Sequence, residues 1–329
     1  MIVRDFLAKL KFGKLQSFEN MAVVALFVPD YEVIDYLTLG EALKRRLIVV
    51  TEVDVGGSVP ELKVINKADK PVLLLDGEEL VGGKQNRTLN TTILLKEKSE
   101  TVIPVSCTER GRWHYVSDKF TETVASSAFS IRATMARSVA ESLRERSKFD
   151  ADQSEVWDNI EAMFCSTGED SPTEALEDLY QAKSATLSDY LKAFKRRARQ
   201  VGLLVFINGE VVGFDVIPRE AAYKQLHPKL VRSYALDAVV RRRNKDSKPA
   251  MEAAEAFLES AMKCGARRYK SIGYGWDYRL EGEGTVGSAL VHKRMVIHTA
   301  FFRCEDGEKS GGMAGPSRRR RFRTGWLIE

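Results

Sequence analysis

Between Asp76 and Leu95 the chain reads DGEELVGGKQNRTLNTTILL, which places Glu78, Glu79 and a Gly82-Gly83 pair just before Lys84, Gln85, Asn86 and Arg87. Adjacent glycines let a backbone approach a ligand closely and present amide N–H groups to an anion. Lys84 is a compact positive charge, and Arg87 is a planar fork matched to phosphate or carboxylate. Gln85 and Asn86 offer both donors and acceptors. Together Gly82 to Arg87 form a candidate cradle for a phosphate or a nucleotide. The same residues also fit a glycine bulge opening a strand, with its polar side chains in solvent. The GxxxxGK[ST] spacing of a P-loop is absent, and a strand pattern follows rather than a helix. Glu78 and Glu79 neighbour the glycine pair, and a carboxylate there can act as a general base or bind ribose hydroxyls or a metal, with an exposed charged turn as the plain alternative.

A second dense stretch is CTERGRWHY, Cys107 to Tyr115. A cysteine with a histidine nearby can form a thiolate–imidazolium nucleophile. Cys107 and His114 are an odd number of residues apart, so one continuous strand would point them to opposite faces, and Gly111 can break that continuity. The default for Cys107 is a buried thiol. Glu109 is a second candidate base, Arg112 a second cation, and Trp113 either core or a flat platform for a base. These residues make no recognisable zinc motif.

Elsewhere the signals are weaker. His227, His292 and His298 fit structural roles. SIGYGWDYRLEGEGTVG (Ser271 to Gly287) contains G-x-G-x-D but lacks the third glycine and the helix of a dinucleotide fingerprint. The basic segments Lys192 to Arg199 and Arg241 to Lys245 fall at helix C-termini, where cations suit the dipole. A third basic run, Arg318, Arg319, Arg320, Arg321 and Arg323, can bind nucleic acid through phosphate contacts.

The elements that must position these residues change along the chain. Residues 1–118 read as strand-rich: Met21 to Val28, Leu47 to Val55, two short strands within Glu61 to Leu75, then RTLNTTILL with Arg87, Leu89, Thr91, Ile93 and Leu95 on one face, and TVIPVSC, which Pro104 places at an edge or bulge. Leu39 to Arg46 fits a short helix. Residues 122–201 change period: Val124, Ala128, Ile131, Met135, Val139 and Leu143 form one helical stripe. Asp152 with Glu155 reads as a capping box, and Ser171-Pro172-Thr173-Glu174 as the start of a helix running to about Val201, with Leu176, Leu179, Leu187, Leu191, Phe194 and Ala198 inward. Residues 202–304 are mixed. LLVFINGEVVGFDVI predicts a type I′ hairpin at Asn208-Gly209. Helices follow at roughly 219–242, interrupted or kinked near His227-Pro228, and 249–263, then four short strands. The expectation is a single α+β domain over 1–304, its terminal strand groups joined in one sheet system and its helical block on one side. Residues 305–329 read as a disordered Arg-rich tail.

Composition agrees with a soluble globular protein: 329 residues, 44% hydrophobic and 29% charged. No apolar run approaches the roughly 20 residues of a membrane helix, and no leader is evident, so a cytoplasmic location is expected. Cys107, Cys165, Cys264 and Cys304 lie far apart, which argues for reduced thiols and against a metal site. The net charge is only +5. That is no strong sign of a nucleic-acid binder.

GEELVGGKQNRTLNTTILL, IPVSCTERGRW, DQSEVWDNI, SPTEAL, INGEVVGFDV and YALDA occur in an order that resembles a prokaryotic family of unknown function, named for its association with ADP-ribosylglycohydrolases and the rhodanese–phosphatase superfamily (ARPP). The resemblance covers roughly Gly13 to Arg303, and its first two motifs are the most specific. It implies a link to ADP-ribose or NAD chemistry and raises the phosphate reading of Gly82, Gly83, Lys84, Asn86 and Arg87. It makes Glu109, Arg112 and Trp113 the second wall of the same site. The expected ligand is ADP-ribose or a related phosphorylated nucleotide, bound and, if it is hydrolysed, with Glu79 or Glu109 as the base; the cofactor is unknown. A non-catalytic scaffold and a nucleic-acid binder using the basic helix ends and tail are the alternatives.

Overall fold

The structure is a computed structural model that describes residues 2–241 and 248–304. It begins with α1 (Ile2–Leu7), β1 (Lys11–Phe18) and β2 (Met21–Phe27). Then come β3 (Leu37–Thr38), α2 (Leu39–Lys44), β4 (Ile48–Glu52), β5 (Glu61–Asn66), β6 (Val72–Leu74), β7 (Glu78–Val81), β8 (Arg87–Leu89), β9 (Ile93–Leu95), β10 (Ser99–Cys107) and β11 (Thr121–Ser126). The helical block is α3 (Phe129–Arg146), α4 (Gln153–Thr167), α5 (Leu176–Ala182) and α6 (Ser184–Ala193). The rest comprises β12 (Gly202–Ile207), β13 (Glu210–Val216), α7 (Glu220–Val240), α8 (Met251–Lys263), β14 (Gly265–Lys270), β15 (Trp276–Gly282), β16 (Thr285–His292) and β17 (Met295–Arg303). The fold is α+β, with strands dominating the first third. The Arg-rich tail and its five arginines lie outside the described residues, as does most of the basic run after Arg241.

An eight-stranded sheet runs β1-β2-β12-β13-β17-β16-β15-β14, so the first hairpin joins the C-terminal strands. Every pairing in it is antiparallel. Its side chains alternate between two cores. Leu203, Val205 and Ile207 of β12 pack among residues of α3 to α7, while Leu204 and Phe206 pack with α1 and α8. Helices therefore cover both faces, where a single covered side was expected; α1 and α8 supply the second layer. Each fully buried side chain of this size contributes about 1.5–3 kcal/mol. At the β12–β13 turn Asn208 and Gly209 take φ of 52° and 82°, as a type I′ hairpin requires.

The other strands of the first third form two smaller sheets, β11-β7-β8-β10-β5-β4 and β3-β6-β9, around a third core. Pro104 marks where β10 changes partner. Residues Ser99 to Pro104 pair with β5, and Val105 to Cys107 pair with β8. Among the described residues no helix is long and apolar enough to cross a membrane.

Four local expectations are corrected. Arg87 to Leu95 is two strands rather than one, because the Asn90, Thr91 and Thr92 side chains bond to Phe149 O, Asp277 and Asp76 and take the backbone off the ladder. Val124 belongs to β11, where it is 61% exposed, and the helical stripe starts only after it. Ser171 Oγ does accept the Ala175 N–H, but Glu174 sits at φ 52°, so the helix starts at Leu176, breaks at Lys183 and stops at Ala193, leaving Ala198 exposed. Finally, α7 runs unbroken through Pro228. The half-exposed edge strand β1 and the short α1 carried no periodic signal strong enough to anticipate.

Candidate functional site

The stretch Glu78 to Leu89 is a hairpin whose loop, Gly82 to Asn86, needs both glycines. Gly82 and Gly83 adopt φ of 133° and 52°. A Cβ on Gly83 would lie 2.3 Å from the Phe120 ring and 2.7 Å from Glu52 Oε1. The loop is held by Arg112 rather than left open. Arg112 Nη1 donates to Gly83 O (2.8 Å) and His114 O (3.0 Å), and Nη2 to Asn86 Oδ1 (3.2 Å). Its Nε and Nη2 also grip both oxygens of Glu109 at 2.8 and 2.6 Å. Glu109 accepts the Asn86 N–H as well (3.1 Å). Burial works against the Glu109 charge, but the bonds from Arg112, the Asn86 N–H and Thr173 outweigh it and hold this carboxyl below the ordinary glutamate value. Glu109, Arg112 and Asn86 are thus one buried brace under the loop.

Strand register divides the remaining residues. Arg87 stands opposite Leu80 on β7 and Cys107 on β10, while Thr88 stands opposite Glu79 and Ser106. Directly opposed residues share a face and successive residues alternate. Leu80, Arg87 and Cys107 therefore face one side, and Glu79, Thr88 and Ser106 the other.

On the Arg87 side the structure gathers Lys84, Arg87 and Trp113 with two residues not singled out from sequence, Glu52 and Tyr115. Arg87 is fully buried. Its Nη1 donates to Gln85 Oε1 (3.2 Å), but Nε and Nη2 have no hydrogen-bond partner. Glu52 Oε1 lies 4.0 Å from Arg87 Nη2 and accepts the Lys84 N–H (2.9 Å); Glu52 Oε2 has no partner. Trp113, 46% exposed, has Lys84 Nζ at 5.4 Å and the Arg87 guanidinium at 5.7 Å from its ring centre. Lys84 Nζ also lies 5.2 Å from the Tyr115 ring and donates to Gly56 O (2.7 Å). A buried fork with two unsatisfied donors, beside an unsatisfied carboxylate oxygen and under an indole, is built to meet polar atoms.

Cys107 lies in the same cluster. Its thiol is buried, with Sγ 4.0 Å from Val59 O, and burial pushes its pKa up to about 11. His114 is exposed, and only its carbonyl takes part in the brace. The pair does not form an activated thiolate.

On the opposite side Glu79 is fully buried and accepts from Thr108 Oγ1 (2.7 Å), while its Oε2 is unpartnered. Burial raises its pKa to about 8, so at neutral pH it is largely a neutral acid. Glu79 cannot reach a ligand held by Arg87.

A larger constellation went unseen in the sequence. Arg132 of α3 donates to Asp76 Oδ2 (3.2 Å) and Asp215 Oδ1 (2.5 Å); Tyr234 donates to Asp215 Oδ2 (2.8 Å); His298 lies 2.8 Å from Thr92 Oγ1 and 3.3 Å from Asp215 Oδ1. Burial opposes the Asp215 charge, but Arg132 and His298 outweigh it and hold its carboxyl far below the usual range. Thr91 extends the network to Asp277 and Arg279. Asp76, Thr91 and Thr92 belong to the stretch already noted for its polarity, but their partners are remote in the chain. These groups tie the large sheet to the smaller ones.

A cavity of about 520 Å³ opens beside Glu78 and is lined by Thr38, Glu41, Lys44, Glu122, Gln225 and Lys229. Lys229 Nζ sits there between Glu78 (2.7 Å) and Glu122 (2.5 Å). Among the described residues no group of three or more His, Cys, Asp or Glu is placed to hold a metal ion.

No curated protein matches the chain, and no solved structure does. Residues 9–302 match the model of the family described as the ARG and Rhodanese-Phosphatase-superfamily-associated Protein domain, and the chain belongs to that family.

Proposed function

We propose that this protein binds a phosphorylated nucleotide, of which ADP-ribose is the first example to test, on the Arg87 side of the β7–β8 hairpin. The observation that carries the reading is the buried Arg87 guanidinium, whose Nε and Nη2 have no partner beneath the half-exposed Trp113 ring. Unsatisfied buried donors of this kind cost on the order of 1–3 kcal/mol each unless something fills them. Trp113 offers a stacking surface of the kind that binds bases without regard to sequence. Lys84 at the rim is the cation for phosphate, and Asn86 and Gln85 shape the loop rather than touch the ligand. Glu109 is committed to Arg112 and Glu79 faces away, so the arrangement favours binding over hydrolysis.

The test is thermal denaturation with ADP-ribose, NAD, AMP and inorganic phosphate, for the native protein and Arg87→Ala. A ligand at one hundred times its dissociation constant stabilises the fold by about 2.7 kcal/mol. A shift that Arg87→Ala abolishes supports the reading. The absence of a shift with all four and with UMP and IMP overturns it and favours a scaffold role.

A further inference from the structure

The unpartnered atoms around Arg87 differ in kind, and that difference carries information about what they receive. Arg87 offers two donors, Nε–H and one N–H of Nη2, along one edge of a planar fork. Glu52 offers one acceptor, Oε2, with its other oxygen 4.0 Å from Arg87 Nη2. Glu52 is buried, and Arg87 completely so. A phosphate would satisfy the fork but set its charge against the carboxylate. A group that satisfies both offers an acceptor able to take two hydrogen bonds and, next to it, a donor for the carboxylate.

An amide edge has that pattern. A carbonyl oxygen carries two lone pairs and takes both donors of the fork, and the neighbouring N–H goes to the carboxylate. The ring nitrogen of adenine, which has no carbonyl beside it, has one lone pair and leaves one Arg87 donor unmet. We propose that Glu52 and Arg87 read the C=O/N–H edge of a planar ring stacked on Trp113: either the lactam of a keto nucleobase such as uracil or hypoxanthine, or the carboxamide of a nicotinamide ring. This rests on the nucleotide-binding reading above and specifies the ring end of that ligand, leaving the phosphate to Lys84.

The place for the ring is taken by the protein's own loop between β4 and β5. A Cβ added to Gly57 would lie 3.5 Å from Glu52 Oε2, 3.6 Å from Trp113 Cζ2 and 3.1 Å from Lys84 Cδ, so the Gly57 backbone sits between the carboxylate and the indole. The loop is fastened by Lys84 Nζ to Gly56 O and by the Tyr115 hydroxyl to Asp54 O (3.4 Å) and Val55 O (3.3 Å), all exposed contacts. Val55 at its tip is 86% exposed. A ring that stacks on Trp113 lifts this loop and replaces Gly57 against Glu52.

The experiment is calorimetric titration of the full chain with UMP, IMP, nicotinamide mononucleotide and AMP, repeated with Glu52→Gln. The variant keeps an oxygen for the Lys84 N–H, and a melting curve checks its fold. UMP and IMP, or nicotinamide mononucleotide, are expected to bind at least about tenfold tighter than AMP. Glu52→Gln should shrink that ratio to within about threefold. Which arm binds tighter separates the nucleobase from the carboxamide. Equal binding of all four, or a preference that Glu52→Gln leaves intact, overturns this inference and spares the binding site. No binding by any of the four overturns both.

Discussion

Glu79 and Arg87 lie on paired strands of one hairpin and face opposite sides of it, Glu79 opposite Thr88 and Arg87 opposite Leu80. The two therefore have separate fates. Burial holds a proton on Glu79 between 4.5 and about 8, where the unfolded chain has lost it. The native state then binds more protons than the unfolded state across that window, so this group's contribution is fully present below the window and is lost as pH rises through it, by up to about 1.4 kcal/mol per pH unit. Glu79→Gln keeps an oxygen for Thr108 and removes the titration. Denaturant unfolding at pH 5, 7 and 9 should show the variant gaining on the native protein as pH rises and exceeding it at pH 9. Parallel pH profiles would show that Glu79 is not held neutral.

Arg112 and Arg87 are both buried arginines beside the same loop, but only Arg112 has all three of its nitrogens engaged. Arg112→Ala leaves the Glu109 carboxylate without its cation and the His114 carbonyl without its Arg112 donor, while Gly83 O keeps only the Val116 N–H. Removing one partner of such a buried pair costs about 3–5 kcal/mol. Arg87→Met removes two unpartnered donors and keeps the bulk, so its stability should stay within about 1 kcal/mol of the native value. Urea unfolding of the two variants distinguishes the roles. Equal losses would mean that Arg87 is structural too.

What was legible in the sequence was local. The Asn208-Gly209 hairpin showed because turn chemistry lies in two adjacent residues. Lys84, Arg87 and Trp113 showed as polar and aromatic types, and the structure brings them together. Glu52 did not, because within LIVVTEVDV it reads as an ordinary polar position of an alternating strand, and its partners are more than thirty residues away. The hairpin register that separates Glu79 from Arg87 depends on where the loop closes, which the glycine pair alone does not specify. Arg132 is 56 residues from Asp76 and 83 from Asp215, and within its helix it reads as one more surface arginine.

The Arg132–Asp215 pair offers a direct test of that buried network. Arg132→Met strands Asp215 between Tyr234 and His298 without its main counter-charge, and Asp215→Ala leaves Arg132 with Asp76 alone. Each single variant should lose about 3–5 kcal/mol. The double variant removes both charges together, so its loss should fall short of the sum by about 1–3 kcal/mol. Chemical denaturation of the four proteins measures this coupling. Additive losses would show that the two residues act independently.

The cysteines separate by environment, and the separation bears on whether a thiol mechanism is available. The nucleophile is the thiolate, and a thiol with its pKa near 11 is ionised at pH 7.4 in only about one molecule in several thousand. Cys107 and Cys264 are both pushed up to about 11 by burial, and their sulfurs are screened from solvent. Cys165, on α4, is exposed. Iodoacetamide labelling of the native protein, followed by peptide mapping, should modify Cys165 in minutes and leave Cys107 and Cys264 intact until denaturant is added. Raising the pH from 7 to 9 should speed Cys107 labelling far less than unfolding does, because access as well as ionisation limits it. Labelling of Cys107 as fast as Cys165 in the folded protein would contradict the buried geometry and reopen a cysteine nucleophile beside Arg87.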